Sequence, residues 1–306
     1  MEETIKFRRA VITGPTGAIG LALCEKLLSE HIEVYAICRP GTVRAAHLPE
    51  GVELVWCDAS ELGRLPEKIS KEVDLFYHFA WSHTIGPGRN DIPAQIENIH
   101  YTLDAVKAAK ALSCHTFIGA GSQAEYGRVE GLIRAETPCF PENGYGMAKL
   151  CAGQMSREYA HQLGLKHIWV RILSVYGPHD GAQTMVMSTI KKLQEGIVPK
   201  FTKGEQIWDY LYSGDAAKAF YLLGKKGIDG KIYILGSGEG RPLSEYINEI
   251  REVVNPKEDI ELGTIPYGEK QVMYLVADIS ELQKDVAFET SVKFNEGIKM
   301  IISESK

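Results

Sequence analysis

A glycine-spaced turn between a short apolar strand and an amphipathic helix constrains this chain more than any other feature. The run Ala10-Val11-Ile12 leads into Gly14-Pro15-Thr16-Gly17-Ala18-Ile19-Gly20, and Leu21, Leu23, Leu27 and Leu28 follow at helical spacing. A tight strand-to-helix turn needs glycine where φ is positive and where the backbone must come close to a pyrophosphate. The free N–H groups at the helix start then face the anion. Gly14, Thr16, Gly17, Ala18, Ile19 and Gly20 are therefore the candidate phosphate contacts.

The first half of the chain repeats this alternation. Strands are expected over 31–38, 52–56, 75–79, 116–120 and 167–173, with helices over 65–73, 95–112 and 144–163. Alternating strands and helices imply βαβ units and a parallel sheet covered on both faces. The expected fold is α/β, a doubly wound parallel sheet of Rossmann type over residues 1–176. After Tyr176 the texture changes. Gly177-Pro178-His179-Asp180-Gly181 is a loop, and helical patterns over 184–194, 215–224 and 243–254 mix with short strands such as 232–235. Residues 177–306 read as a smaller C-terminal substrate-binding lobe, with a segment around 207–224 returning to the main sheet.

The length of 306 residues supports a core of this size. Cys24, Cys38, Cys57, Cys114, Cys139 and Cys151 form no Cys-x-x-Cys pair and no Cys/His zinc spacing. No metal site is expected, and free thiols in a reducing cytoplasm are. A net charge of −6 disfavours a nucleic-acid or anionic-membrane surface. No apolar run reaches membrane-spanning length, and Met1-Glu2-Glu3-Thr4 lacks the basic-then-apolar pattern of an export signal.

Catalytic chemistry is expected from Ser122, Tyr145 and Lys149. A tyrosine ionises near ~10 in water and is a poor base at neutral pH. Lys149, four residues on, shares its helix face. Its ammonium is expected to lower the Tyr145 phenol and to hold a nicotinamide ribose. Ser122 follows the strand Phe117-Ile118-Gly119, where its hydroxyl would polarise the same substrate oxygen. Such a tyrosine exchanges the proton of a substrate hydroxyl while a nicotinamide exchanges hydride at that carbon. The end of the second strand reads the adenosine ribose. A carboxylate there would accept its hydroxyls, whereas this chain carries Cys38-Arg39. An arginine after a neutral residue favours NADP(H), with NAD(H) the alternative. Asp58, after the third strand, is placed at the adenine end.

With these residues in this order, the chain resembles the extended short-chain dehydrogenase/reductases of the nucleotide-sugar epimerase/dehydratase family, over essentially its whole length. The resemblance is carried by Gly14 to Gly20, His78-Phe79-Ala80, Asn98, Ser122 with Tyr126-Gly127, Tyr145 and Lys149. It continues through Arg171, Val175-Tyr176-Gly177-Pro178, and Trp208-Asp209-Tyr210-Leu211-Tyr212 with Asp215. It implies a dinucleotide in the first lobe, with Phe79, Ala80 and Asn98 beside it, and a nucleoside diphosphate sugar gripped by the second. It also implies a homodimer through the helices at 95–112 and 144–163. Substrate contacts are expected from Trp81 and His83 in the loop after the fourth strand, and from Gln123, His179 and Gln183. Ser174 stands where relatives often carry Asn, Trp208 where many carry Arg, and Arg241 in a loop expected to meet the nucleotide.

Sugar 4,6-dehydratases place Asp-Glu directly after the catalytic Ser/Thr. Gln123-Ala124 in that position argue against the elimination. The favoured reading is a reductase of a 4-keto-6-deoxy sugar drawing on NADPH, because of Cys38-Arg39. The alternative is a 4-epimerase that keeps NAD. His83, as a second acid, would open 3,5-epimerisation. A non-catalytic dinucleotide-binding regulator is disfavoured, because both Tyr145 and Lys149 are present.

Overall fold

The structure, a computed structural model, describes residues 7–304; the stretch Met1-Glu2-Glu3-Thr4 lies outside the described residues. The first half runs β1 (Arg9–Thr13), α1 (Ala18–Ser29), β2 (Glu33–Cys38), β3 (Glu53–Trp56), α2 (Leu65–Lys68), β4 (Leu75–His78), α3 (Ile92–Ala111), β5 (Thr116–Ser122), α4 (Gly144–Gln162) and β6 (Lys166–Ile172). The second half continues with β7 (Ser174–Tyr176), α5 (Met185–Gln194), β8 (Ile207–Trp208), β9 (Tyr210–Tyr212), α6 (Ser213–Lys226) and β10 (Ile232–Leu235). It ends with β11 (Arg241–Pro242), α7 (Leu243–Val254), β12 (Tyr274–Leu275), α8 (Ser280–Val286) and α9 (Phe294–Glu304).

A seven-stranded parallel sheet in the order β10-β6-β5-β4-β1-β2-β3 forms the Rossmann-type α/β fold. Both faces are covered, which is why the strands read as continuous apolar runs. Ala10 and Ile12 of β1 pack on one face with Leu23, Leu27, Phe220 and Leu223. Val11 points the other way, into a layer with Phe76, Val106, Ala109 and Phe117. A third cluster, with Tyr176, Val186, Ile190, Tyr246, Ile250, Phe294 and Ile298, joins α5, α7 and α9.

The structure differs from expectation at three elements. Of the segment around 207–224, α6 returns to the main sheet, packing on α1 with Phe220 and Leu223 against β1, whereas β8 pairs with β11 and β12 and β9 pairs with β7. The strand that does return is β10, whose Ile234 and Leu235 are buried beside β6. Helix α2 stops at Lys68, because Ile69 turns extended and buries its side chain in the lower layer. Helix α3 begins earlier than its apolar pattern, since the Asp91 carboxylate accepts from the Ala94 N–H and Pro93 occupies the first turn.

Among the described residues, no helix is long and apolar enough to cross a membrane, and no group of three or more His, Cys, Asp or Glu side chains is placed to hold a metal.

Candidate active site

The strand order reverses between β1 and β4, which opens a crevice beyond their carboxyl ends. A cleft of about 300 Å³ lies there. Gly14, Gly17, Ala18, Ile19 and Gly20 line one side, Phe79 and Trp81 the middle, and Ser122, Tyr145 and Lys149 the other. Thr16 sits half-buried in the same turn.

The turn fits a dinucleotide. Gly14 has φ of +69°, and a Cβ there would lie 2.8 Å from the Ala80 nitrogen. Helix α1 starts at Gly17 with no side-chain cap and no acidic residue in its first turn. Its leading N–H groups therefore have no side-chain acceptor, the state an entering pyrophosphate needs. Ala80 is fixed beside the turn by its N–H, which donates to Thr13 Oγ1 at 3.2 Å.

Ser122 is set by a capping box at the end of β5. Its N–H donates to Glu125 Oε1 at 2.8 Å, and its Oγ accepts from the Ala124 N–H at 3.2 Å. Glu125 is fully buried and also accepts from Trp169 Nε1 at 3.0 Å and Arg171 Nε at 2.6 Å. Arg171 donates onward to the Tyr126 hydroxyl at 2.7 Å. Helix α4 reaches this turn because Gly146 carries no side chain: a Cβ there would fall 2.2 Å from the Ala124 oxygen. The approach brings the Tyr145 phenol towards Ser122, whose hydroxyl draws the phenol's pKa down.

Lys149 is engaged elsewhere than expected. Its Nζ donates to the Ala120 carbonyl at 2.7 Å and lies 3.8 Å from the centre of the Trp81 ring, against 5.9 Å from the centre of Tyr145. Burial pushes its pKa down to about 7, against the pull of Glu125. Burial raises the Tyr145 phenol, the Ser122 hydrogen bond and the Arg89 charge draw it down, and Glu125 adds to the rise. Arg89, whose guanidinium carbon stands 4.5 Å from the ring centre, adds a lowering charge that the sequence did not single out. Sequence reasoning missed Arg89, because it sits in a Gly-Pro-rich turn far from Tyr145 along the chain.

The loop after β4 is fastened by two buried amides on α3. Gln95 accepts from Trp81 Nε1 at 2.9 Å and donates to the carbonyls of His83 at 3.0 Å and Gly88 at 3.1 Å. Asn98 accepts from the Ser82 N–H at 2.9 Å and donates to the Ser82 carbonyl at 3.1 Å. Asn98 therefore holds the loop that carries Trp81. Gln95 was also missed; its one signal is the i, i+3 spacing to Asn98 on a helix face. His83 has a left-handed backbone, is exposed, and bonds its ring to Ser82 Oγ at 3.1 Å, outside the cleft lining.

At the end of β2 Cys38 is buried and Arg39 exposed. The Asp58 carboxylate caps the following turn, accepting from the Ser60 N–H at 3.1 Å and Oγ at 2.8 Å. Those bonds, and the Arg39 charge, hold it below the usual carboxylate range. The 43–47 segment then crosses to the loop after β7. Arg44 Nη2 donates to the His179 carbonyl at 2.9 Å, and the His47 and His179 ring centres are 4.4 Å apart. His179 thus faces this segment, where a substrate contact was expected. The neighbouring Asp180, missed in the sequence, lines the cleft with its carboxyl raised by burial. Gln183 is exposed and outside the cleft lining, and Gln123 is half-buried beside Ser122.

The second-lobe candidates bind other protein groups. Trp208 Nε1 donates to Ser174 Oγ at 2.8 Å. Arg241 Nη1 donates to Glu249 Oε1 at 2.5 Å, with its guanidinium carbon 4.2 Å from the Tyr246 ring centre. These contacts set the positions from which Ser174, Trp208 and Arg241 would meet a ligand.

The chain belongs to the NAD dependent epimerase/dehydratase family, whose model matches residues 10–236. A Bacillus subtilis (strain 168) protein named an uncharacterized UDP-glucose epimerase is 23% identical over 304 residues, covering 95% of each chain. A dTDP-6-deoxy-L-talose 4-dehydrogenase (NAD(+)) of Aggregatibacter actinomycetemcomitans is 27% identical over 267 residues, 82% of this chain and 93% of the relative. The crystal structure of Thermus thermophilus UDP-glucose 4-epimerase in complex with NAD shares the fold, with a TM-score of 0.85 at 22% identity, over 96% of this chain and 98% of that one.

Proposed function

We propose that this family member oxidises and re-reduces a ring carbinol of a nucleoside diphosphate sugar, and that it works as a 4-epimerase. The supporting observation is the cleft that has the glycine turn on one side and Ser122, Tyr145 and Lys149 on the other. In this reading the glycine turn and the start of α1 hold the pyrophosphate, and Phe79, Ala80 and Lys149 flank the nicotinamide end. The bound dinucleotide supplies a hydride acceptor and donor. Tyr145 takes the proton of the sugar hydroxyl and returns it, while Ser122 Oγ bonds the same oxygen. Trp81 lines the sugar side. Gln123-Ala124 bring no acid or base, so the chemistry ends at the carbinol.

The choice of epimerase rests on the bridge between the segment after β2 and the loop after β7. Arg44, His47 and His179 tie together two loops, which in this reading flank the adenosine side. That closure suits a dinucleotide kept through both half-reactions. UDP-glucose is the first substrate to try, since the structural relative from Thermus thermophilus is a UDP-glucose 4-epimerase.

The test is turnover of UDP-sugars by protein as purified, with bound dinucleotide identified after denaturation. Co-purifying NAD and a C4 epimer formed without added cofactor support the reading. A strict need for added NADPH, with net reduction of a 4-keto-6-deoxy nucleotide sugar, overturns it. That second reading is favoured by Arg39, exposed after the neutral Cys38. If it holds, Arg39→Ala weakens NADPH far more than NADH. A homodimer through α3 and α4 belongs to the same proposal, since Ile92, Ile96, Met147 and Met155 are exposed on those helices.

A further inference from the structure

We propose that Arg89 is a positioning residue for the Tyr145 phenol, covering the ring from a pinned turn and adding a second positive charge to that of Lys149. This inference rests on the reading of Tyr145 as the proton-transfer group.

The geometry is fixed from both sides. Arg89 lies in the short turn Gly86–Asn90. The Gly88 carbonyl accepts from buried Gln95 at 3.1 Å, and Asn90 Oδ1 accepts from the Gly144 N–H at 3.0 Å. Gly144 opens the helix that carries Tyr145, and a Cβ there would fall 3.0 Å from the Arg89 carbonyl oxygen. The turn and the helix start are therefore one packed unit, and the 4.5 Å from the guanidinium carbon to the ring centre follows from it. No carboxylate among the described residues forms an ion pair with Arg89, so no paired anion offsets its charge on the phenol.

The other groups facing Tyr145 do not take this place. Ser122 is neutral, and buried Glu125 opposes ionisation of the phenol. Lys149 is bonded to the Ala120 carbonyl and lies over the Trp81 ring, so at 5.9 Å from the Tyr145 ring centre it stands farther off than Arg89. A guanidinium over a neutral ring gains a modest cation–π attraction. Against a phenolate the same cation gains a full charge–charge term. The contact therefore strengthens as Tyr145 loses its proton, the direction that base catalysis requires.

The experiment is fluorine NMR of the full chain labelled with 3-fluorotyrosine, titrated with pH without substrate or dinucleotide. The Tyr145 resonance is assigned by its loss in Y145F. In R89Q, and in R89M, which keeps an apolar stem, its ionisation should move up by about one pH unit. R89K should restore most of the shift. An unchanged midpoint in R89Q or R89M overturns the proposal. The readout needs no turnover, so that failure leaves the epimerase reading standing, and failure of the epimerase reading leaves this titration intact.

Discussion

At the end of β5 the chain is held by groups that must meet in one geometry: the buried Glu125 carboxylate, its donors on Ser122, Trp169 and Arg171, and the two α3 amides behind Trp81. The second lobe is held by rings. Tyr176, Tyr210, Tyr246 and Phe294 meet edge-to-face or tilted, with centres between 4.7 and 6.0 Å apart. Hydrogen bonds to charged groups fix direction and are costly to leave unmade. Aromatic packing supplies area with looser angular demands. The directional scaffold lies beside Ser122 and Tyr145, and the packed one where a lobe needs only to be held against the sheet.

The comparison breaks first at Tyr145. Tyr145→Phe keeps the packing and removes the proton-transfer group, so turnover should fall roughly 10²- to 10⁴-fold with dinucleotide binding retained. Near-normal turnover in that variant would end the mechanism. Glu125→Ala tests the scaffold itself. It strands the buried Arg171 and should cost about 3–5 kcal/mol in urea unfolding, and a loss below about 1 kcal/mol would mean that the network is not cooperative.

Lys149 gives a pH signature. Its folded pKa of about 7 lies below lysine's ordinary range. Between these values the unfolded chain binds more protons than the folded one, so stability contributed by this site rises as pH climbs from about 7 towards about 10. Below about 7 both states are protonated and the slope vanishes. The difference in stability between wild type and Lys149→Met should show that rise; a flat difference would place Lys149 in a more hydrated setting. The smallest effect is expected in the second lobe. Arg241 is half-buried with Glu249, and Arg241→Ala should cost under about 1 kcal/mol and leave nucleotide-sugar affinity unchanged. Loss of affinity there would return Arg241 to the substrate site.

Much of the first half was legible because its signals are local. Gly14, Gly17 and Gly20 mark a turn that only a few backbone paths satisfy, and Tyr145 and Lys149 share a helix face by spacing alone. The apolar runs of β1 and β4 show that both sheet faces are covered. The second lobe was less legible. Ser174, Trp208 and Arg241 are polar enough to meet a ligand, and nothing in their spacing tells that Trp208 would reach Ser174 or that Arg241 would reach Glu249.

The sequence by itself determined the alternation, the phosphate turn and the helix that carries the tyrosine, since each follows from periodicity and backbone sterics within a few residues. Tertiary structure alone decided which charges reach the phenol and that the loops after β2 and β7 meet. Arg89 meets Tyr145 through a turn pinned to two helices, Lys149 is drawn to Ala120 and Trp81, and His47 meets His179 across the reversal of strand order. Electrostatic coupling depends on distances through space and on burial, and neither is written in the order of residues along the chain.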